Sequence, residues 1–152
     1  MARKSANEKL NNHKGFEIID ISDQPDAVSR YGGSKMLIAA PLEYNEIIAK
    51  IPSGKVITSV EIRDFLAKKH SADFTCPLTA GIFINLVAHA DVERDTDKVP
   101  FWRTLKTKGE LNEKYPGGIE AQKDLLKQEG HEILVHGKRC FVKDYDKNLW
   151  LP

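Results

Sequence analysis

Cys76 and Cys140 are the side chains of this sequence best suited to nucleophilic chemistry. Cys76 precedes Pro77 at a predicted helix N-terminus, where the helix dipole would favour a thiolate. His70 and His89 are candidate general bases by residue type alone. The alternative interpretation is a small buried thiol, and Cys140, in an apolar stretch, is expected only to pack. Neither cysteine has another nearby in the sequence, so we expect no zinc site and no disulfide framework.

Phe101 and Trp102 are an adjacent aromatic pair that could stack against a nucleic-acid base. They could equally be core residues, because consecutive strand residues point to opposite faces and only one can line a given pocket. Six lysines are candidate phosphate contacts on a one-sided basic strip, with a solvated surface as the alternative. They are Lys55, Lys68, Lys69, Lys106, Lys108 and Lys114.

The overall charge gives no signature of a general nucleic-acid binder. The 152 residues carry 23 basic and 22 acidic side chains, a formal net charge of +1. Any DNA binding must therefore depend on local patches. Residues 70–92 contain no lysine or arginine, which is more typical of packing or partner binding than of insertion into a groove. No apolar run is long enough for a membrane helix, so we expect a soluble, cytoplasmic protein without a membrane partner.

The apolar spacing predicts a mixed α+β protein. Residues 1–15 are polar and are expected to be a disordered lead-in. Residues 16–41 are expected to be an N-terminal extension with short strands, separated by a loop over 24–33. The apolar residues of 44–51 recur at the spacing of one buried helical stripe, which predicts a first helix that ends at Pro52.

Local start and stop signals predict three further helices. Thr58 and Glu61 have the spacing of a capping box at the start of the second helix. The third is predicted from about Pro77 to Asp91, where Ile82, Phe83, Leu86 and Val87 repeat at three and four. The fourth is predicted from Ile119 to Glu129.

The segments around the fourth helix are expected to be β-structure. Residues 101–105 are predicted as a strand, 106–109 as a turn and 110–111 as the returning strand. Residues 132–152 are expected to be a hairpin around Gly137 with a tail packed on the domain. The order helix, helix, helix, β-wing, helix is that of a winged helix-turn-helix domain.

Three stretches resemble the DNA-binding domain of the O6-alkylguanine-DNA alkyltransferase family. Residues 51–58, Ile-Pro-Ser-Gly-Lys-Val-Ile-Thr, are similar to the segment between its first two helices. Residues 100–104, Pro-Phe-Trp-Arg-Thr, lie where the family has Pro-Cys-His-Arg-Val. Residues 117–130 match the Gly-Gly…Leu-Leu…Glu-Gly helix that follows its active site. The resemblance implies an alkyltransferase-type winged-helix domain over residues 42–131.

In that family a cysteine thiolate beside a histidine removes an alkyl group from an extruded guanine. The resemblance puts Phe101 at the cysteine and Trp102 at the histidine, and neither side chain can do this chemistry. Arg103 and Glu129 match an arginine that braces the wing and the glutamate of the relay, so these four residues form a degenerate site. Arg103 could instead be an exposed phosphate contact, and Glu129 an acid without a role.

The resemblance also implies a pocket, lined by Ser59, Phe101, Trp102, Tyr115, Gly117 and Gly118. Ser59 stands where the family has a tyrosine that acts in nucleotide extrusion, and Gly81 falls at the intercalating arginine. The missing cysteine is shared with the alkyltransferase-like proteins, which bind alkylated DNA as damage sensors.

The resemblance therefore implies a non-catalytic protein that binds double-stranded, including modified, DNA for repair. A protein partner belongs to this expectation, and no cofactor or metal is expected. The alternatives are a small-molecule or protein-binding module on the same fold and an enzyme that uses Cys76.

Overall fold

In a computed structural model, residues 4–12 and 15–152 form six α-helices and seven short strands. The helices are α1 (Ala6–Asn11), α2 (Pro25–Tyr31), α3 (Pro41–Ala49), α4 (Ser59–Lys69), α5 (Pro77–Val92) and α6 (Gly118–Gln128). The strands are β1 (Glu17–Asp20), β2 (Lys35–Ile38), β3 (Ile57–Thr58), β4 (Phe74–Thr75), β5 (Thr104–Leu105), β6 (Ile133–His136) and β7 (Arg139–Val142). The expected mixed α+β class is confirmed.

The N-terminal strands belong to a three-stranded sheet in the order β1-β2-β4. β1 pairs antiparallel with β2, and β2 pairs in parallel with β4. The prediction of a loop over 24–33 is wrong, because α2 occupies most of it. Pro25 supplies the fixed φ of a first helical position, and Gly32 ends the helix in the left-handed conformation at φ +85°.

The expectation of a disordered lead-in is wrong for residues 6–11, which form α1. Leu10 is buried in the main core, and the carboxylate of Glu93 accepts hydrogen bonds from the backbone N–H groups of Ala6 and Asn7, both at 3.0 Å. Burial of Leu10 and the hydrogen bonds to Glu93, which is far away in the sequence, therefore order a segment of polar composition. The expectation for residues 1–3 and 13–14 lies outside the described residues.

The predicted helices over the alkyltransferase-like region are confirmed as α3, α4, α5 and α6. The capping box of α4 is present: the Thr58 hydroxyl accepts from Val60 N at 3.2 Å, and Glu61 accepts from Thr58 N at 2.9 Å. The set of core-facing residues predicted for α5 is wrong in part. Ile82 is exposed and the core-facing side carries Ile84 instead, because an almost wholly apolar helix has no polar face to fix its rotation.

The predicted wing strand over 101–105 is wrong for its first half. Phe101–Arg103 is a 3-10 turn, and only Thr104–Leu105 is a strand, which pairs in parallel with β3. Phe101 is buried in the main core from this turn. The turn over 106–109 and its return are confirmed, since Lys106 and Glu110 pair as an antiparallel bridge.

The C-terminal hairpin is confirmed as β6 and β7, which turn at Gly137 and Lys138. Cys140 is buried in a second core cluster with Val56 and Leu105, as expected for a packing residue. The chain end then runs beside Val56, whose carbonyl accepts from Trp150 N at 2.8 Å. In the part of the chain that the structure describes, no helix combines the length and apolarity needed to cross a membrane.

The docking of α1 yields a prediction for stability. We expect Leu10→Ala to lower the free energy of unfolding by about 2–4 kcal/mol, because α1 loses its one fully buried side chain in the main core. Urea denaturation measures the change, and hydrogen exchange should show α1 losing protection. The exposed Lys9→Ala on the same helix is the control and should change stability little. Equal stability of Leu10→Ala and wild type would show that α1 is not anchored this way.

Candidate functional site

A cavity of about 280 Å³ lies between the first half of α5, the start of α4 and the segment that follows β5. Because β3 leads into α4 and pairs in parallel with β5, Ser59 and Leu105 reach the same edge. Its volume is near the lower end of ligand pockets, about 300 Å³, and suits one small group. The lining residues are Ser59, Pro77, Leu78, Gly81, Ile82, Ile84, Asn85, Leu105, Lys106, Asn112, Glu113, Lys114 and Tyr115.

Two asparagines are among the neutral polar residues that line this cavity. Asn112 is fixed by the backbone: its Oδ1 accepts from Lys114 N at 2.9 Å, and its own N–H donates to Gln122 Oε1 at 2.7 Å. The Asn112 Nδ2 group therefore donates to Asn85 Oδ1, at 2.8 Å. Because Asn85 Oδ1 accepts this bond, the remaining hydrogen-bonding group of the Asn85 side chain is its NH2 donor.

Ser59 and Tyr115, two of the six predicted pocket residues, line the cavity. The Tyr115 hydroxyl donates to the carbonyl of Thr104 at 2.8 Å, and burial raises the pKa of Tyr115 far above its usual value. Tyr115 is therefore a neutral wall and not an acid or a base. Ser59 is half-buried at the first position of α4.

Phe101 and Trp102 do not line the cavity. Phe101 is only 7% exposed and packs in the main core, with its ring edge-on to Tyr115 at 5.4 Å between centroids. Trp102 lies towards α6, where its Nε1 donates to Glu129 Oε2 at 2.9 Å. The core interpretation therefore holds for Phe101, and the stacking platform has no support.

Gly117 and Gly118 also lie outside the cavity lining. Gly117 has φ +81°, and a Cβ at this position would approach the Ala121 Cβ to 2.6 Å. Its conformation and the tight contact with the first turn of α6 explain why glycine is needed there. The pair shapes the entry to α6 without touching a guest.

Arg103 and Glu129 form a largely buried, two-point ion pair. Arg103 Nε donates to Glu129 Oε1 at 2.9 Å, and Arg103 Nη2 donates to Oε2 at 2.8 Å. Arg103 Nη1 also donates to the carbonyl of Ile51 at 2.6 Å, and Gly54 N donates to Glu129 at 3.1 Å. Arg103 is thus largely buried and engaged within the protein, as the bracing interpretation expects, and it is not exposed for contact with a phosphate.

The charge on Glu129 is stabilised within this network. Burial alone would raise the pKa of Glu129, but hydrogen bonds from Arg103, Trp102 and Gly54 outweigh it and hold the pKa below its usual value. The structure therefore brings together three members of the predicted degenerate site. They act as a brace beside the cavity rather than as part of its wall.

The six predicted lysines do not all converge. Lys106 and Lys114 line the cavity, and Lys108 follows on an exposed turn. Lys69 is at the far end of α4, about 15 Å from Ser59 at a rise of about 1.5 Å per residue.

The ion pairs of these lysines also differ. Lys69 pairs with Glu43 at 2.8 Å, and Lys106 pairs with Glu113 at 3.1 Å. Among the residues described, the other four make no ion pair with a carboxylate; they are Lys55, Lys68, Lys108 and Lys114.

Cys76 lies half-buried at the N-terminus of α5, in a cleft that also contains Tyr31 and Phe74. Neither candidate base is positioned to activate it. His70 is held by Glu43 at 2.6 Å, and His89 lies about 20 Å further along α5. Within residues 4–12 and 15–152, no three His, Cys, Asp or Glu side chains come together as a metal site.

The cavity-facing Leu78, Asn85 and Asn112 were missed by the sequence analysis. Exposed apolar residues in an apolar helix carry no periodic signal, and isolated asparagines resemble turn residues. The Asn112 amide could only be found through its contacts with Asn85 and Gln122, which are far away in the sequence.

Comparisons with known proteins identify solved structures with a similar fold. No protein-family model matches the chain, and no curated protein matches it. Two solved structures are similar: S. pombe Atl1 in complex with damaged DNA containing O6-carboxymethylguanine, with a TM-score of 0.54, and S. pombe ATL in complex with DNA, with a TM-score of 0.55. Each is 25% identical and covers 74% of this chain and 94% of the other. The chain is a structural relative of the alkyltransferase-like proteins, and the expected alkyltransferase-type fold is confirmed.

The buried brace gives a prediction for the Glu129→Gln variant. We expect its free energy of unfolding at pH 7 to fall by about 2–4 kcal/mol, because Arg103 stays largely buried without a counter-charge. The pKa of Glu129 is lowered in the folded state, so its stabilisation is present above the ordinary glutamate pKa of about 4.3 and is lost as the pH falls. The difference from wild type should therefore shrink in urea denaturation at about pH 3.

Glu120→Gln is the control for this variant. Its carboxylate is exposed and pairs with Lys123 on the surface of α6, so its loss should change stability by less than about 1 kcal/mol. A Glu129→Gln protein as stable as wild type at pH 7 would contradict the brace.

Proposed function

We propose that this protein is a non-catalytic, alkyltransferase-like protein that binds duplex DNA and holds a modified base in the cavity beside α5. The observation that carries the proposal is the likeness to Atl1, whose structure contains damaged DNA, over 74% of the chain. The small cavity with polar groups at the junction of α5 and β5 supports it. An enzyme or binder that acts on one base must take that base out of the helical stack, and this requires such a pocket.

Binding without reaction follows from the side chains around the cavity. Transfer of an alkyl group requires a nucleophile with a lone pair that reaches the carbon atom. At the position matched to the acceptor cysteine, Phe101 is a buried ring, and neither Cys76 nor Cys140 lines the cavity. We therefore propose recognition of the damage as the whole activity of this site.

The proposed contacts with the base come from Asn85 and Tyr115. The Asn85 amide can donate to a base oxygen or nitrogen, as asparagine does when it reads base edges. The Tyr115 ring forms part of an otherwise apolar wall, with Ile84 and Leu105 beside it. A neutral wall favours a base whose polarity is reduced by an alkyl group.

The proposed phosphate contacts come from the lysines around the cavity. Lys114 and Lys108 are exposed and free of protein ion pairs among the described residues, so binding a phosphate would not break a salt bridge. Lys106 would have to share its charge with Glu110 and Glu113. With a net charge of only +1, we expect modest affinity for undamaged DNA.

The proposal also covers the family, the cellular location and a protein partner. We assign the chain to the methylated-DNA–protein-cysteine methyltransferase family as a member without the acceptor. Free Cys76 and Cys140 are typical of a reducing compartment, which supports a cytoplasmic location. A sensor without chemistry must pass the lesion on, so a repair protein is the proposed partner.

The first test measures binding and transfer together. We expect tighter binding to a duplex with one O6-methylguanine than to the matched duplex with guanine, measured by fluorescence anisotropy. The intact mass of the protein should stay unchanged after incubation, because no acceptor lies at the cavity. Asn85→Ala should lose most of the preference for the lesion while keeping affinity for plain duplex. A gain in mass by one methyl group would refute the non-catalytic assignment.

The second test identifies the phosphate contacts. We expect Lys108→Ala and Lys114→Ala each to weaken binding and to reduce the slope of log K against log salt by about 0.9, because each phosphate contact releases counterions. Lys143→Ala is the control, because Lys143 pairs with Glu132 beyond the hairpin and is not in the predicted set. Affinity that ignores salt would favour the alternative of a small-molecule or protein-binding pocket, which the uncharged surface of α5 otherwise supports.

A further inference from the structure

The hairpin of β6 and β7 leaves one edge of its sheet open. Among the described residues, β6 pairs only with β7. The N–H of Lys143 donates to the carbonyl of Glu132 at 2.9 Å, so alternate residues from Glu132 onwards direct their backbone groups towards β7. The N–H and C=O groups of Ile133 and Val135 therefore point outwards. An unpaired edge of this kind is a template for another strand.

The side chains of this edge are apolar and exposed. Val135 is 60% exposed and Leu134 is 39% exposed. Val135 lies opposite Cys140 and Leu134 lies opposite Phe141, so the two exposed side chains extend from opposite faces of the hairpin. β6 contains no proline, acidic residue, lysine or arginine, which are the residues that usually protect a free edge. A strand added here would cover apolar surface on both faces.

The sequence around Leu134 is self-complementary in one antiparallel register. When Leu134 lies opposite Leu134 of a second copy, Ile133 meets the second copy's Val135 and Glu132 meets its His136. No like charges face each other, and the outward backbone groups of both copies can exchange four hydrogen bonds. A shift of two residues in either direction would place Leu134 opposite Glu132 or His136 instead. The side chains therefore select a symmetric register.

A second copy also fits this edge better than a nucleic acid does. Lys138 and Arg139 at the turn could attract phosphates, but the Arg139 guanidinium is already paired with Glu110 at 2.8 Å. Phosphates would leave Leu134 and Val135 exposed and the outward backbone groups without a strand partner. The β6 strand of a second copy satisfies the backbone groups and covers the apolar side chains together.

We propose that β6 is the surface through which two copies of this chain associate. The two hairpins would form one antiparallel sheet in the order β7-β6-β6-β7, with a twofold axis at Leu134. The edge is short compared with the area of about 800 Å² per partner in a stable interface, so the dimer should be weak and form at protein concentrations on the order of 100 µM. The inference goes beyond the proposed function and does not depend on it.

The first test removes the outward backbone donor of Val135. Val135→Pro deletes two of the four hydrogen bonds of the dimer, but the hairpin retains its own ladder because this N–H points away from β7. In sedimentation equilibrium of the full chain, we expect the association constant to fall about tenfold. Val135→Thr is the matched control: it keeps the N–H and the β-branched shape, and should weaken association far less. Both variants should unfold at the wild-type temperature at low protein concentration.

The second test uses the charge opposite Glu132. His136→Glu would place carboxylates opposite each other twice in the dimer, so we expect its association constant to fall about fivefold, whereas His136→Lys should raise the constant about fivefold. Within a single hairpin the same changes act in the opposite direction, because position 136 faces Arg139. A change in association that only reflected the stability of the hairpin would therefore reverse the order of the two variants.

The outcomes decide whether β6 joins two copies. Slower hydrogen exchange of the Ile133 and Val135 amides at high protein concentration than at low would support the contact. A wild-type chain that stays monomeric at all concentrations refutes it, and so does a dimer that is unaffected by Val135→Pro and His136→Glu. If these amides are protected only after addition of duplex DNA or of an extended acidic peptide, the edge has another occupant and the proposed self-association is wrong.

Discussion

The ion pair between Arg103 and Glu129 is the constraint on which the rest of this structure depends. Two largely buried charges must be paired and fully hydrogen-bonded, which fixes where each can lie. Glu129 follows α6, Arg103 precedes β5, and their network also holds Ile51 and Gly54 in the loop before β3. The pair therefore sets the two strands side by side, and with them the two walls of the cavity.

This brace also explains how the cavity can keep its shape without a cysteine in its lining. The indole of Trp102 donates to Glu129, and Phe101 packs in the core edge-on to Tyr115, so neither lines the cavity. An aromatic pair at this point adds packing to a frame that Arg103 already holds. A cavity that keeps its position without a nucleophile is suited to recognition.

Local signals allowed much of the fold to be predicted from the sequence. The capping box at Thr58, the proline at the start of α5 and the turn at Gly137 act within a few residues, and all three elements are confirmed. That residues 6–11 are an ordered helix was not predictable, because the core around Leu10 and the Glu93 carboxylate reach α1 only in the folded chain. The rotation of α5 was missed for a related reason, since a helix that is apolar on most sides has no pattern from which to infer its buried face.

The residues of the candidate site were only partly predictable from the sequence. Arg103 and Glu129 came from the resemblance to a family, whereas Asn85 had no sequence signal and the exposed face of the apolar helix α5 could not be told from its buried face. Under the proposed function, a net charge of +1 contributes little general attraction to DNA phosphates. Recognition at the proposed site must then come mainly from the Asn85 amide and the apolar wall of the cavity, which would act on a base and not on phosphates.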